Sequence, residues 1–246
     1  MSNPARPHAY VARALVLIAA WAVLTGILMV VGEGVEHSST LNAFDRHVTS
    51  WVVAHRSSTL DAVMKAVTWL GSWIALVATA VVVIVLVVSG RLPRLAVVLA
   101  VVAWAGEAGG VSLTKVVVHR PRPPEHVRLI AVHGWSWPSG HTAVAVVVFT
   151  VLAMVLQYLF RDRLLRAFVW GFAVLFVAAV GFSRIELGVH WTTDVLGSLV
   201  FVTSWLIVLA TLIAVMSERS PKKKVGEHVS PVQPGSSFQP GEHHQP

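Results

Sequence analysis

TAVAVVVFTVLAMVLQYLF, residues 142–160, contains no charged side chain. As a helix rising 1.5 Å per residue, such a stretch covers about 30 Å, the thickness of the hydrocarbon core of a bilayer. Backbone groups in hydrocarbon must be satisfied within the segment, so the stretch should be helical. Its many valines do not argue for a strand. β-propensity describes fit to a half-buried pleated surface, and the stretch shows no alternation of polar and apolar residues. Five more apolar runs, nearly free of charge, lie around it: Ala12–Val31, Ala66–Val88, Leu95–Val118, Leu165–Phe182 and Trp191–Val215. Together they predict an all-α fold, an integral membrane bundle of six transmembrane helices.

Composition agrees with that reading. Hydrophobic residues make up 55% of the 246-residue chain and charged residues 13%, against roughly 25% charged in a soluble domain. The chain has no cysteine, which excludes disulfides, thiolate nucleophiles, zinc–thiolate sites and iron–sulfur clusters. The formal net charge of +7 reflects cations in short loops beside apolar spans, the pattern of the positive-inside rule, so no nucleic-acid partner is expected. Ala14–Gly32 is longer than a signal-peptide core and no small-x-small site follows it, so it reads as a retained first span. The partner expected first is therefore the bilayer itself.

The expected organisation has three parts: residues 1–44 with the first span, a core over residues 45–216 with five spans, and a disordered basic tail over 217–246. Within Glu33–Lys65, Val48, Trp51 and Val52 recur at helical spacing, as do Leu60, Val63 and Met64. Short interfacial helices or an ordered loop both fit. The stretch His119–Ser136 carries Pro121, Pro123 and Pro124, so it cannot be one helix and must be a structured loop. With six spans both termini share a side with Arg91–Arg94 and Arg161–Arg166. That side holds the greater share of the 19 Lys and Arg residues, which makes it cytoplasmic and the opposite surface external.

Polar residues gather on that opposite surface. Lys115 and Arg122-Pro123 follow the third span, Pro138-Ser139-Gly140-His141 opens the fourth, and Ser183-Arg184, His190 and Asp194 lie between the fifth and sixth. Helices that alternate in direction bring all three clusters to one end of the bundle. Lys115, Arg122 and Arg184 supply cations, two of them guanidinium forks suited to phosphate. Ser139 and Gly140 stand at a helix N-terminus, where free N–H groups bind anions. Cations near a bilayer are costly unless an anion compensates them. A bound phosphate is thus the expected ligand.

His190 and Asp194, four apart, would face each other on a helix. The carboxylate fixes the tautomer and leaves the second ring nitrogen free as a nucleophile. His141 is placed to protonate a leaving oxygen and then to activate water. No carboxylate cluster suited to a metal ion stands beside these residues, so neither metal nor cofactor is expected. The cations would stabilise the transferring phosphoryl group.

These three stretches, KVVVHRPRP from Lys115, PSGH from Pro138 and SRIELGVHWTTD from Ser183, resemble the signature of the type 2 phosphatidic acid phosphatase superfamily. The resemblance covers roughly residues 45–205. It implies a six-helix core, a phosphohistidine intermediate on His190, His141 as general acid, and a phosphate cradle of Lys115, Arg122, Ser139, Gly140 and Arg184. The expected substrate is a lipid phosphate such as a polyprenyl diphosphate, phosphatidic acid or phosphatidylglycerol phosphate. Motifs read the phosphate and not the lipid, and they leave oligomeric state unspecified. A phosphotransferase using the same histidine, and a transporter using the same cations, are the alternatives.

Elsewhere the expectations are structural. Glu186 stands where relatives often carry an aromatic residue and reads as a solvated interfacial carboxylate, with tuning of the site or contact with a polar headgroup as the alternative. Glu107 interrupts the third span, either as a packing residue or as a functional one. Trp135 and Trp137 read as interfacial anchors, with lining of the pocket together with His133 as the alternative. Arg120 and Arg128 read as solvated loop cations, with a second phosphate contact as the alternative. His37, His47, His55, His119, His126 and His133 read as surface or headgroup-contacting residues.

Overall fold

The long apolar runs form the helices their lengths demand. The computed structural model describes residues 7–218, and its regular structure there is entirely helical. The helices are α1 (Pro7–His37), α2 (Ser39–Ala54), α3 (Ser58–Val67), α4 (Trp73–Val88), α5 (Leu95–Val118), α6 (Gly140–Leu159), α7 (Arg163–Glu186) and α8 (Thr192–Glu218), with 3-10 turns at Thr68–Gly71 and Glu125–Val127. Stretches within α1, α5, α6, α7 and α8 are each long and apolar enough to cross a membrane. The pair Ser58–Gly71 and Trp73–Val88, bent by 46°, makes a sixth when taken as one span. The tail expected to be disordered falls, apart from its first two residues, outside the described residues.

The second span departs from the continuous helix expected over Ala66–Val88. A Cβ at Gly71 would lie 2.5 Å from the carbonyl oxygen of His141, so the chain passes α6 at a distance only glycine allows. Ser72 then adopts an extended conformation (φ −90°, ψ 167°), and its hydroxyl donates to the Trp69 carbonyl at 2.7 Å. Helix α4 restarts at Trp73 with 16 residues. We expect Gly71→Ala to lower stability by about 1–3 kcal/mol through overpacking against backbone that cannot yield. The fall should appear as a lower melting temperature of the detergent-solubilised protein.

Helix α6 is the axis of the bundle, packing against α4, α5, α7 and α8. Its Ala143 and Ala145 are fully buried. Small residues let helices approach closely where no hydrophobic drive from water operates. The central cluster joins Ala143, Val146 and Val147 to Trp137, Phe201 and Val202, and α1 closes it by packing on α5 and α8. Trp137 is therefore a core residue and not the interfacial anchor expected. It is 1% exposed, its indole N–H donates to the Leu28 carbonyl at 3.2 Å, and its ring fills the space left by Gly32 and Gly197.

The segment between the first two spans forms two helices, each started by a serine cap. Ser38 Oγ accepts from the Leu41 N–H and Ser57 Oγ from the Leu60 N–H, both at 3.2 Å. This is the capping that satisfies otherwise orphaned donors. Helix α2 packs on α7 and α8 through Asp45, Thr49 and Val52, while Trp51 faces outward and stacks on His55. At the far side of α5, His119 enters the left-handed region (φ 51°) and ends the helix just before Pro121. The connecting loop is tied back by Ser136, whose N–H donates to the Arg120 carbonyl at 2.8 Å. All six loop histidines expected at the surface are exposed.

Candidate functional site

The end of α5, the start of α6, the end of α7 and the start of α8 lie at one end of the bundle, and the eight residues singled out in the sequence come with them. His190 sits in the short α7–α8 connection, two residues ahead of α8, and not on a helix as expected. Asp194 lies in the first turn of α8, and its Oδ2 accepts the Trp191 backbone N–H at 2.9 Å. This is half of a capping box. The same oxygen lies 3.2 Å from His190 Nδ1. A helix cap, rather than an i, i+4 pair on a helix face, therefore brings carboxylate and imidazole together.

With Nδ1 directed at the carboxylate, Nε2 of His190 points the other way, 3.0 Å from Arg122 Nη1. That guanidinium also donates to the Val189 and Gly134 carbonyls at 2.7 and 2.9 Å. Lys115 Nζ donates to the Trp135 carbonyl at 2.8 Å, and Arg184 Nη1 to Thr68 Oγ1 at 2.7 Å. Burial, and then the field of Lys115, Arg122, Arg184 and His141, holds the His190 imidazole well below its ordinary value of 6.5. Both effects favour the neutral imidazole.

At the start of α6 the Ser139 N–H is not free, contrary to expectation, because it donates to the Asp194 carbonyl at 3.2 Å. Its Oγ accepts from Thr142 at 3.0 Å, and its own carbonyl accepts from Ser198 at 2.8 Å. Ser139 thus joins α6 to α8. The N–H groups of Gly140 and His141 are left at the helix N-terminus, the position that binds anions. Their side of the site opens into a cavity of about 750 Å³ lined in part by Gly140, His141 and Arg184. The arrangement offers an anion three cations and a helix terminus, beside a neutral imidazole nitrogen. Among the described residues no group of three His, Asp or Glu side chains is placed to hold a metal ion.

Sequence reasoning misplaced Arg120. It is 1% exposed and neither solvated nor part of the cradle. Its Nη1 donates to Asp194 Oδ1 at 2.6 Å and to Thr193 Oγ1 at 2.7 Å. Its Nη2 donates to Asp45 Oδ2 at 2.7 Å, and Glu36 approaches Nε at 3.4 Å. Asp45 in turn accepts the Thr193 N–H at 3.0 Å. A buried cation thus holds two buried carboxylates, one of them the partner of His190, and binds α2 to the head of α8. The sequence held only half of the signal: Asp45, Val48, Thr49 and Val52 share one face of α2, and a carboxylate on a buried stripe needs a partner, but nothing in the sequence names Arg120 as that partner.

Two further expectations change. Glu186 is 1% exposed, not solvated. It turns inward beside Asp61, and its carbonyl accepts from Arg56, whose Nη1 also bonds the Val127 carbonyl at 2.9 Å. Arg128 is not a free loop cation, since its Nε donates to the Pro123 carbonyl at 2.7 Å.

Known proteins resemble this chain in sequence and in fold. The model of the PAP2 superfamily matches residues 91–218, just over half of the chain. Phosphatidylglycerophosphatase B of Bacillus subtilis (strain 168) is 37% identical over 75 residues, which is 30% of this chain and 37% of that relative. Undecaprenyl-diphosphatase BcrC of the same organism is 34% identical over 157 residues, covering 60% of this chain and 72% of its own length. Among solved structures, the transmembrane PAP2-type phosphatidylglycerolphosphate phosphatase of Bacillus subtilis superposes with a TM-score of 0.66 at 23% identity, over 81% of this chain and 97% of that one. Aquifex aeolicus LpxE gives 0.51 at 27% identity, over 67% and 93%. With the motif match carried by residues that the fold gathers at one end of a helical membrane bundle, the chain belongs to the PAP2 superfamily.

Proposed function

We propose that this protein is a membrane lipid phosphate phosphatase that works through a phosphohistidine on His190. The observation that carries the proposal is the polarised imidazole, with Nδ1 against Asp194 Oδ2 and Nε2 directed at Arg122. An anion bound at the cradle would take over the Arg122 fork and lie against Nε2. The Nε2 lone pair attacks phosphorus, the ester or anhydride P–O bond breaks, and His141 gives a proton to the departing oxygen. Water then attacks the phosphohistidine and passes a proton to His141. The P–N bond breaks, inorganic phosphate leaves, and His190 is restored.

Lys115, Arg122, Arg184 and the N-terminus of α6 stabilise charge on the transferring group, the term expected to supply most of the acceleration. No step requires a metal ion. Phosphate release from a lipid phosphate should therefore continue in excess EDTA and be inhibited by orthovanadate, which adopts the five-coordinate geometry of the transferring phosphorus. Loss of activity in EDTA, restored by a divalent cation, would overturn the mechanism. The excess of cations on the side of the termini supports a site facing outward, with residues 45–216 as the catalytic core.

Two relatives support a lipid phosphate as the substrate class. One is an undecaprenyl-diphosphatase and the other a phosphatidylglycerophosphatase. On this proposal the site takes a phosphomonoester or diphosphate of a lipid.

A further inference from the structure

The cavity beside His141 and Arg184 continues past Trp69 and Trp104 to Glu107, two turns ahead of Lys115 on α5. Glu107 is 2% exposed, and its Oε2 is buried without a hydrogen-bond partner. No cation pairs with it among the described residues. A buried carboxyl group left unsatisfied is costly, and this one lies against space continuous with the cradle. We propose that Glu107 forms a specificity subsite for a hydrogen-bond donor, a hydroxyl or amide N–H, on the alcohol part of the lipid phosphate. This rests on the phosphatase reading and deepens it.

The chemistry of the partner follows from what a carboxyl group can bond. An ionised carboxylate only accepts, and a protonated one donates once and accepts; a hydroxyl satisfies both forms, and an amide N–H satisfies the accepting oxygen. Phosphate and diphosphate oxygens repel the ionised form. A polyisoprenoid chain has no polar hydrogen to offer. The subsite therefore favours lipid phosphates whose alcohol carries a donor over polyprenyl phosphates and over purely ester-linked lipids.

The test compares ceramide 1-phosphate, which has an amide N–H and a hydroxyl, with phosphatidic acid of matched chain length, which has neither, and with farnesyl diphosphate. Full-length protein in nanodiscs is assayed for phosphate release as wild type, Glu107→Ala and Glu107→Leu, the last keeping most of the side-chain volume. The expected result is a higher kcat/KM for ceramide 1-phosphate than for phosphatidic acid in wild type. That ratio should fall roughly tenfold in both variants, mainly through KM, as the loss of one hydrogen bond to a buried carboxyl group implies. An unchanged ratio, or an equal loss on both lipids, overturns the subsite and assigns Glu107 to packing or a trapped water. Wild-type activity confined to farnesyl diphosphate also overturns it while leaving the phosphatase intact. Release from none of the three sinks the phosphatase reading instead.

Discussion

His190→Ala should reduce phosphate release by at least about four orders of magnitude, since losing only the correct histidine tautomer in a Ser–His–Asp triad costs about that much and losing the nucleophile costs more. The side chain is 2% exposed, and no neighbouring group can substitute for its Nε2. The loss should fall on kcat, because Lys115, Arg122 and Arg184 remain to bind the phosphate, so KM should change little. The neutral state imposed by burial and by those cations also fixes the pH dependence. Protonation, which would destroy the nucleophile, requires a pH well below 6.5, so wild-type activity should show no loss centred at 6.5 that belongs to this group. A kcat/KM profile between pH 5 and 8 on the wild-type enzyme checks the sign, and activity of the alanine variant within tenfold of wild type would exclude His190 as nucleophile.

Arg120→Ala should be the most damaging change outside the cradle. It leaves Asp194 and Asp45, 0% and 1% exposed, without the cation that both bond at 2.6–2.7 Å. Removing one partner of a buried ion pair typically costs about 3–5 kcal/mol, and here two carboxylates lose theirs. The expected result is a large drop in thermal stability together with a fall in kcat of on the order of a hundredfold, since Asp194 no longer has a fixed geometry against His190. Arg120→Lys should recover part of the stability and less of the rate, because an ammonium cannot span Thr193, Asp194 and Asp45 as a fork. Measuring melting temperature and kcat on both variants separates the two effects. An Arg120→Ala enzyme of normal stability and rate would show that the network positions nothing.

Those two residues also mark how far the sequence can be read. His190 was legible because its chemistry is local: a histidine near an aspartate beside an Arg and a PSGH turn, in spans whose direction follows from counting. The helical bundle was legible for the same kind of reason, since hydrocarbon leaves the backbone one solution per apolar run. Arg120 was not, because its role depends on α2 folding back onto α8 so that Asp45 meets Asp194 across about 150 residues of chain. Gly71 was not either. A glycine inside an apolar run signals nothing until α6 is found against it. Trp137 and Glu186 misled for a related cause: residues at span ends usually face the interface, but here the active end of the bundle is covered by α2, α3 and the proline loop, which turn that boundary into interior.

The central claim is the covalent one, and it is tested most directly by trapping. Purified enzyme mixed with a ³²P-labelled lipid phosphate and quenched within the first turnover should carry label that is stable to alkali, released by acid, and mapped by peptide mass spectrometry to His190, with none in His190→Ala. Label on another residue, or rapid turnover with no labelled protein at any quench time, would contradict the account.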